Sequence, residues 1–443
     1  MFKRRFSGVL FGCMFATVVA MAGLGGSYVV PLDHYAIQYE TRPVDDPIAR
    51  LQKRVDAGQV KLEFRDGQGY LKSVLDALTV RPESQVLVFS KTSFQAPRIV
   101  PGLPRAIYFS DDVSVGWVRG GDVLEFASVD PKQGVIFYTL DQAATETPRF
   151  DRQDTCLQCH ANGATVGVPG LVVRSVYTSA SGMPVFHAGT FVTDHRSPLN
   201  ERWGGWYVTG KHGAQTHMGN ALVRDRSLPI SLDSNGQNVT DLQGRFDTGA
   251  YLTPYSDIVA LMALEHQTRM TNLITRVGYE ARMALHDNAA MNKALGRPAG
   301  EVSESVTRRV NSAVEEMVEY MLFTDEARLT EPVQGVSGFA ESFARGATRD
   351  RHGRSLRDLD LKTRLLRYPC SYLIYSEAFD QMPEIARDRV YRRLWEVLTE
   401  HHAQPKFANL SREHRKAILE ILLATKKGLP DYWRSGEPVV SGL

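Results

Sequence analysis

From Ala106 to Leu140 the chain reads AIYFSDDVSVGWVRGGDVLEFASVDPKQGVIFYTL, and this stretch decides the fold class. Ala106 to Phe109, Val113 to Val118, Val123 to Val129 and Gly134 to Leu140 are β-branched or aromatic runs, separated by Asp111-Asp112, Gly120-Gly121 and Asp130-Pro131. Short apolar runs punctuated by turn residues, with no helical segment between them, predict an antiparallel meander. Upstream, Pro47 to Ala57 and Tyr70 to Leu78 read as short helices and Gln85 to Ser90 as a strand. Downstream, Leu171 to Tyr177 and Val185 to Thr193 flank a hairpin turn at Ser179-Ala180-Ser181-Gly182, and Trp206 to Thr209 is a further short strand.

From Tyr251 onward the period changes to that of helices. Thr253-Pro254 offers an N-cap and first-turn proline for a helix running to about Leu285, with Met262, His266, Met270, Leu273 and Val277 on one stripe. Ser303 to Phe323 repeats the pattern through Val306, Val310, Val314, Met317 and Met321. Arg387 to Glu400 and Ser411 to Thr425 follow, and Gly428 and Pro430 close the last helix. The reading is a mixed α+β chain, strand-rich in its N-terminal half and largely helical in its C-terminal part. Its zones are 1–32, 33–148 (mixed α/β), 149–250 (strands and loops) and 251–443 (helical). The apolar stripes of the rear zone predict that it packs against the strand-rich zones.

The second zone carries Cys156-Leu157-Gln158-Cys159-His160, a C-x-x-C-H motif. Two thiols at this spacing form thioethers with the two vinyl groups of one haem, and the adjacent imidazole ligates its iron. Two other chemistries compete. A thioredoxin-like C-x-x-C follows a buried apolar strand, whereas Thr147-Pro148-Arg149-Phe150-Asp151-Arg152-Gln153-Asp154-Thr155 is polar. A structural zinc site needs more soft ligands, and only Cys13 and Cys370 remain. The motif therefore predicts one covalently attached haem c on Cys156 and Cys159, with His160 as proximal ligand, and a chain unlike the small all-helical cytochrome c fold. Cys370 is left as a buried free thiol.

The N-terminus supplies the compartment in which such attachment occurs. Lys3, Arg4 and Arg5 precede a segment from Phe6 to Leu32 without a charged residue. This is an export signal, with Ala20-Met21-Ala22 as its cleavage site, or an uncleaved anchor in the inner membrane. Both put Cys156 in the periplasm or another extracytoplasmic space; lipidation at Cys13 is disfavoured by the bulky Phe11. With 443 residues, 43% of them hydrophobic, the chain can bury one large core or two smaller ones. A formal net charge of +2 and the lack of a basic block beyond the export segment argue against a nucleic-acid partner.

The sixth iron ligand separates a carrier from a catalyst. A second histidine or a methionine favours electron transfer, while an open position admits substrate. Candidates in order are His217, Met218, His212, His195 and His266. The first three lie in the glycine-punctuated loop Lys211-His212-Gly213-Ala214-Gln215-Thr216-His217-Met218-Gly219-Asn220, which follows Trp203-Gly204-Gly205-Trp206-Tyr207. That loop places aromatic surface beside ligands; its bland alternative is an aromatic turn packed on the sheet. His187 is a further histidine of this region, Met183 reads as exposed in its turn, and His266 reads first as a satisfied core histidine.

Beyond the motif, the chain from about Val86 onward resembles bacterial proteins described as cytochrome c domain-containing. The strings are Val88-Phe89-Ser90-Lys91-Thr92-Ser93, Pro104-Arg105-Ala106-Ile107-Tyr108-Phe109, Cys156 to His160, Thr193-Asp194-His195, Trp203 to Gly210 and Tyr368-Pro369-Cys370-Ser371-Tyr372-Leu373-Ile374-Tyr375-Ser376. The resemblance implies haem binding and electron transfer, with no assigned substrate, and only Cys156, Cys159 and His160 carry over from c-type cytochromes generally. The strands after the motif bear a distant similarity to haem-bearing PAS-like sensor domains. Three functions follow: an exported electron-transfer cytochrome with a redox partner protein, loaded by the cytochrome c maturation machinery; a peroxidase-like haem oxidoreductase using His195, His212 or His217 with Arg196 or Arg202; and a haem-based sensor or docking module.

Overall fold

A computed structural model of the chain describes residues 29–224, 234–400 and 404–435. The export or anchor segment lies outside the described residues except for 29–32, and Cys13 with it.

The meander forms where its pattern places it. Strands β1 (Val86–Val88), β2 (Arg105–Phe109), β3 (Val113–Trp117), β4 (Val123–Asp130), β5 (Gly134–Asp141) and β6 (Phe150–Arg152) pair antiparallel in sequence order. Successive side chains of a strand alternate between faces. Val115, Trp117, Phe126, Ile136, Tyr138 and Leu140 therefore point into the main core, whereas Ser114, Gly116, Glu125, Ala127, Phe137 and Thr139 share the opposite face. That second face carries the C-x-x-C-H motif, on and just before the short helix α3 (Leu157–His160).

Two features of the sheet depart from the sequence pattern. The hairpin β7 (Val173–Val176) and β8 (Thr190–Thr193) is a separate two-stranded sheet, and the first half of the strand predicted from Val185 is a turn at Phe186–Ala188. The short strand β9 (Trp206–Tyr207) pairs with Val88 and Leu87 and so becomes the seventh strand of the large sheet, beyond β1.

Helices α1 (Pro47–Asp56) and α2 (Leu71–Leu78) form as read. Asp46 caps α1 through Ile48 and Ala49 N–H while its other oxygen accepts from the buried Tyr138 hydroxyl at 2.6 Å. The rear comprises α4 (Ile258–Leu295), α5 (Glu304–Met321), α6 (Phe339–Arg345), α7 (Glu377–Asp380), α8 (Glu384–Leu398), α9 (Arg412–Thr425) and α10 (Tyr432–Ser435). The periodic stripes of α4 and α5 are buried throughout.

The long helix α4 departs from its sequence pattern at both ends. Thr253-Pro254 does not start it. Gln85 donates to the carbonyls of Thr253 and Tyr255, and the Ser256 hydroxyl donates to Tyr207 O, so β1 and β9 hold this segment extended and Asp257 becomes the N-cap. At the far end the apolar stripe fades after Leu285, yet the helix continues for ten residues. Asn288 and Asn292 donate to the carbonyl of Glu301, which fastens those turns to the start of α5 before Gly296 and Pro298 end them.

One contiguous hydrophobic core runs from Val30 to Trp433 and draws on every zone. A small second cluster, Ala127, Val135 and Phe137 with Cys156, Leu157 and Leu171 against it, sits on the far face of the sheet under the C-x-x-C-H motif. The rear thus packs against the motif-bearing zone. Among the described residues no helix is long and apolar enough to cross a membrane.

Asp257 is a stringent test of this architecture. Its carboxylate is fully buried and accepts from Val259 and Ala260 in α4 and from Val336 and Ser337 in the segment before α6. Unsatisfied buried donors cost about 1–3 kcal/mol each and a lost cap about 1 kcal/mol. Asp257→Ala should therefore lower the unfolding free energy in urea by more than about 3 kcal/mol, with Asp257→Asn intermediate. A loss under about 1 kcal/mol would contradict the capping role.

Candidate functional site

The C-x-x-C-H motif is placed by the strand that precedes it. Gln153 follows β6, receives a bond from nothing but its own turn, and binds the sheet twice: its N–H donates to Phe137 O at 2.9 Å and its side chain to Thr139 Oγ1 at 2.9 Å. One tight turn, Asp154–Cys156, then sets α3 over Phe137. Cys156 is half-buried, Cys159 is exposed, and both are free thiols.

His160 is held at two points by one residue. Its Nδ1–H donates to Gly170 O at 2.9 Å, and Gly170 N–H donates to His160 O at 2.9 Å. The imidazole also packs on Phe137, with centroids 4.9 Å apart. A carbonyl at Nδ1 fixes the tautomer that leaves the Nε2 lone pair free, the form a metal ligand requires. Nε2 has no hydrogen-bond partner among the described residues. Burial, aided by Arg105 and Arg174, pulls the imidazole below its usual range, so it is neutral at physiological pH.

Gly170 is in turn fixed by α4. Asn272 accepts from Leu171 N–H at 3.1 Å and donates to Leu171 O at 2.7 Å. A Cβ on Gly170 would lie 2.2 Å from Asn272 Oδ1, so only glycine fits between helix and imidazole. Arg276, one turn on, donates to Val166 O in the same loop at 2.9 Å.

The surface beside the motif is apolar at its centre and charged at its rim. A narrow cleft of about 20 Å³, room for little more than a water molecule, lies next to the small cluster, between the sheet and α4, lined by Ala127, Val129, Leu171, Asp112, Gln267 and Thr271. Burial and the neighbouring Asp111 raise the Asp112 carboxyl to about 6. On the other side, Gly116 leaves the sheet bare across β3, and Arg105 lies in that trough to pair with Glu125, which also accepts from Gln95 at 3.2 Å. Glu125 is directly opposite Thr139, the residue that anchors Gln153.

This environment bears on the rival chemistries. Burial and the Glu125 carboxylate push the Cys156 thiol up, the reverse of the activated thiolate that dithiol exchange needs. The set of ligand-type side chains close enough to share an ion, among the described residues, is not at the motif but at His34, His286 and Asp287. There His34 Nδ1 accepts from Ala36 N–H, so its proton is on Nε2, which donates to Asp287 at 3.0 Å; the ring is committed to that bond. Cys370 is fully buried, with its thiol pushed up to about 12.

None of the five candidate distal ligands hydrogen-bonds to or stacks on His160. His217 and His212 are buried together, centroids 4.7 Å apart, with Trp203 against His217. His217 Nδ1 accepts from Gly219 N–H and His212 Nε2 accepts from Asn238 N–H, each at 3.0 Å. Met218 Sδ accepts from Ser175 Oγ at 3.5 Å. His195 and His266 share a proton between their Nδ1 atoms at 2.9 Å, deep among Tyr320 and Phe323, and His266 Nε2 meets Ser371 Oγ at 2.8 Å. His266 is thus a satisfied core histidine. Arg196 is paired with Asp194 and Arg202 with Glu265. Met183 is exposed.

The residues that sequence reasoning missed are Phe137, Gly170, Asn272, Arg105, Glu125, Arg174 and Asp112. Only Phe137 had a local signal, the alternation of β5. No family model, curated protein or solved structure matches the chain.

The buried histidine pair generates a pH prediction. Burial drives His266 from 6.5 down to about 3 and His195 well below 6.5. The unfolded chain takes up protons near 6.5 where the folded one does not, so stability is complete above 6.5 and falls as pH drops towards 3. Urea unfolding at pH 7 and pH 5 should show the His266→Gln variant losing less on acidification than wild type, by up to about 2 kcal/mol. An equal loss in both would show that His266 is protonated in the folded state.

Proposed function

We propose that the protein is an exported c-type cytochrome that carries one covalent haem on Cys156 and Cys159, with His160 as the proximal ligand and electron transfer, in the broad sense, as its function. The observation that carries this reading is the hydrogen bond from His160 Nδ1 to Gly170 O, which turns a neutral Nε2 free beside two unpaired thiols. Sequence motifs for haem attachment do not by themselves orient the imidazole; here Gly170 and Asn272 do so. The fit is supported by the apolar cluster under the motif, cut off from the main core by the sheet, on which a porphyrin ring can lie. The bound haem would supply a one-electron change at iron. The protein's part is to hold the imidazole, cover one ring face and set the charge around it through Arg105, Glu125 and Arg174.

A second reading, a haem oxidoreductase with an accessible sixth position, is favoured by one observation. The histidines and the methionine ranked as distal ligands are engaged with other partners, while Asp112, with a carboxyl raised to about 6, lines the narrow cleft next to the apolar cluster and would be the acid or base nearest that cluster.

The exported protein should stain for haem in a denaturing gel, keep haem through acid-acetone extraction, and weigh one haem more than the bare chain. Extractable haem, or the bare mass, would overturn the assignment. Ferrous protein that is low-spin and refuses carbon monoxide supports the carrier. High-spin protein that binds carbon monoxide supports the second reading, in which Asp112→Asn should shift the acid limb of its pH-rate profile.

A further inference from the structure

The hairpin of β7 and β8 begins two residues after Leu171 and returns over the face of the sheet that bears the motif. Its two faces are unlike. Val173 and Ser175 point inward; the Ser175 hydroxyl accepts from Gly204 N–H and donates to Met218 Sδ, behind the strand. Arg174 points the other way, and its partner across the ladder is Val192, so the two side chains stand together on the outer face. Val192 is 46% exposed, unusual for an aliphatic side chain in the middle of a hairpin. Arg174 is half-buried, yet among the described residues its guanidinium has no hydrogen bond and no ion pair. Most arginines near it are paired: Arg105 with Glu125, Arg196 with Asp194, Arg202 with Glu265.

The placement of this face is set by the chain itself. Three residues separate Arg174 from Gly170, the acceptor for His160, a span of at most about 13 Å. Trp206 Nε1 donates to Arg174 O at 2.9 Å and pins the strand to β9 of the large sheet. The positive charge of Arg174 is felt at the His160 imidazole. A cation with no hydrogen bond or ion pair among the described residues, beside an uncovered aliphatic group and a few residues along the chain from the acceptor for His160, describes a wall suited to a flat, apolar molecule with an anionic edge.

Resting on the haem assignment above, we propose that the outer face of the β7–β8 hairpin is the far wall of the haem site, with Arg174 binding a haem propionate and Val192 covering the adjacent ring edge. The thioethers at Cys156 and Cys159 hold the vinyl side of a haem, and its two carboxylates project from the side away from them. The hairpin lies across the motif-bearing face and brings a guanidinium there. The arrangement explains why Arg174 needs no protein carboxylate.

The test uses the full-length haem-loaded protein and compares wild type with Arg174→Ala, Arg174→Lys and Arg119→Ala. Arg119 is half-exposed and paired with Asp247, so its loss controls for a change of overall charge. The readouts are the midpoint potential by redox titration and the propionate bending bands by resonance Raman. Arg174→Ala should keep its covalent haem, lower the potential and shift a propionate band; Arg174→Lys should restore part of the potential, and Arg119→Ala should match wild type. A haem-loaded Arg174→Ala with wild-type potential and unshifted bands overturns the proposal while leaving haem attachment intact. An equal drop in potential in Arg119→Ala overturns it also. Wild-type protein without covalent haem fails at the earlier step, and the two failures are told apart by the mass of the chain.

Discussion

A helix buried on nearly all sides must give every polar side chain it carries a partner, and α4 meets that demand by fastening the rest of the molecule to itself. Asn272 binds both backbone groups of Leu171 and thereby sets Gly170 against His160. Gln267 donates to Ser110 O in the β2–β3 turn, Tyr279 to Gln133 O in the β4–β5 turn, and Arg276 to Val166 O in the motif loop. Glu265 holds Arg202, and His266 holds His195. An unpaired polar group in that interior would cost more than the bond is worth in water, so each pairing is strongly determined. The orientation of the candidate ligand is therefore a consequence of core packing more than 100 residues away in sequence.

This explains which parts of the molecule could be read directly. The meander, α1, α2, α5 and α9 depend on local periodicity, with side-chain caps at Asp46 for α1 and Ser411 for α9, and the sequence shows both. The start of α4 could not be read this way, because Thr253-Pro254 is a sound capping signal overridden by Gln85 and Ser256 acting across β1 and β9. Membership of Trp206 and Tyr207 in the large sheet is equally non-local: two residues carry no period. At the site, Cys156, Cys159 and His160 stand in a contiguous motif, whereas Gly170, Asn272 and Arg174 have meaning only through the contacts the fold creates.

The histidines show how burial and hydrogen bonding separate a candidate ligand from a core residue. His160, His217 and His266 are all driven towards the neutral form by burial, so neutrality does not distinguish them. What differs is the second nitrogen. His160 donates through Nδ1 to a carbonyl and presents an unpartnered Nε2. His217 accepts at Nδ1 from Gly219 N–H, which puts its proton on Nε2, and His266 spends both nitrogens on His195 and Ser371. Glycine-rich loops with nearby tryptophans suggested His217 because such a loop can approach a ring closely; in the fold the same glycines let the loop pack on itself, with Trp203 buried against His217.

The C-x-x-C-H motif occupies very little of a chain this size, and α3 is a single turn. A single turn cannot fix an imidazole by its own hydrogen bonds. The sheet supplies Phe137 beneath the ring, the loop supplies the acceptor at Gly170, and α4 stops that loop from moving; the three come from β5, the connection to β7 and the rear zone. The front face of the sheet then has little left to give to the main core, and the charges it carries, Arg105 and Glu125, lie in a trough opened by one glycine. The division of the sheet into a face for packing and a face for the motif follows from strand alternation alone. What the additional helices contribute is rigidity at the one bond, from His160 to Gly170, on which the orientation of Nε2 rests.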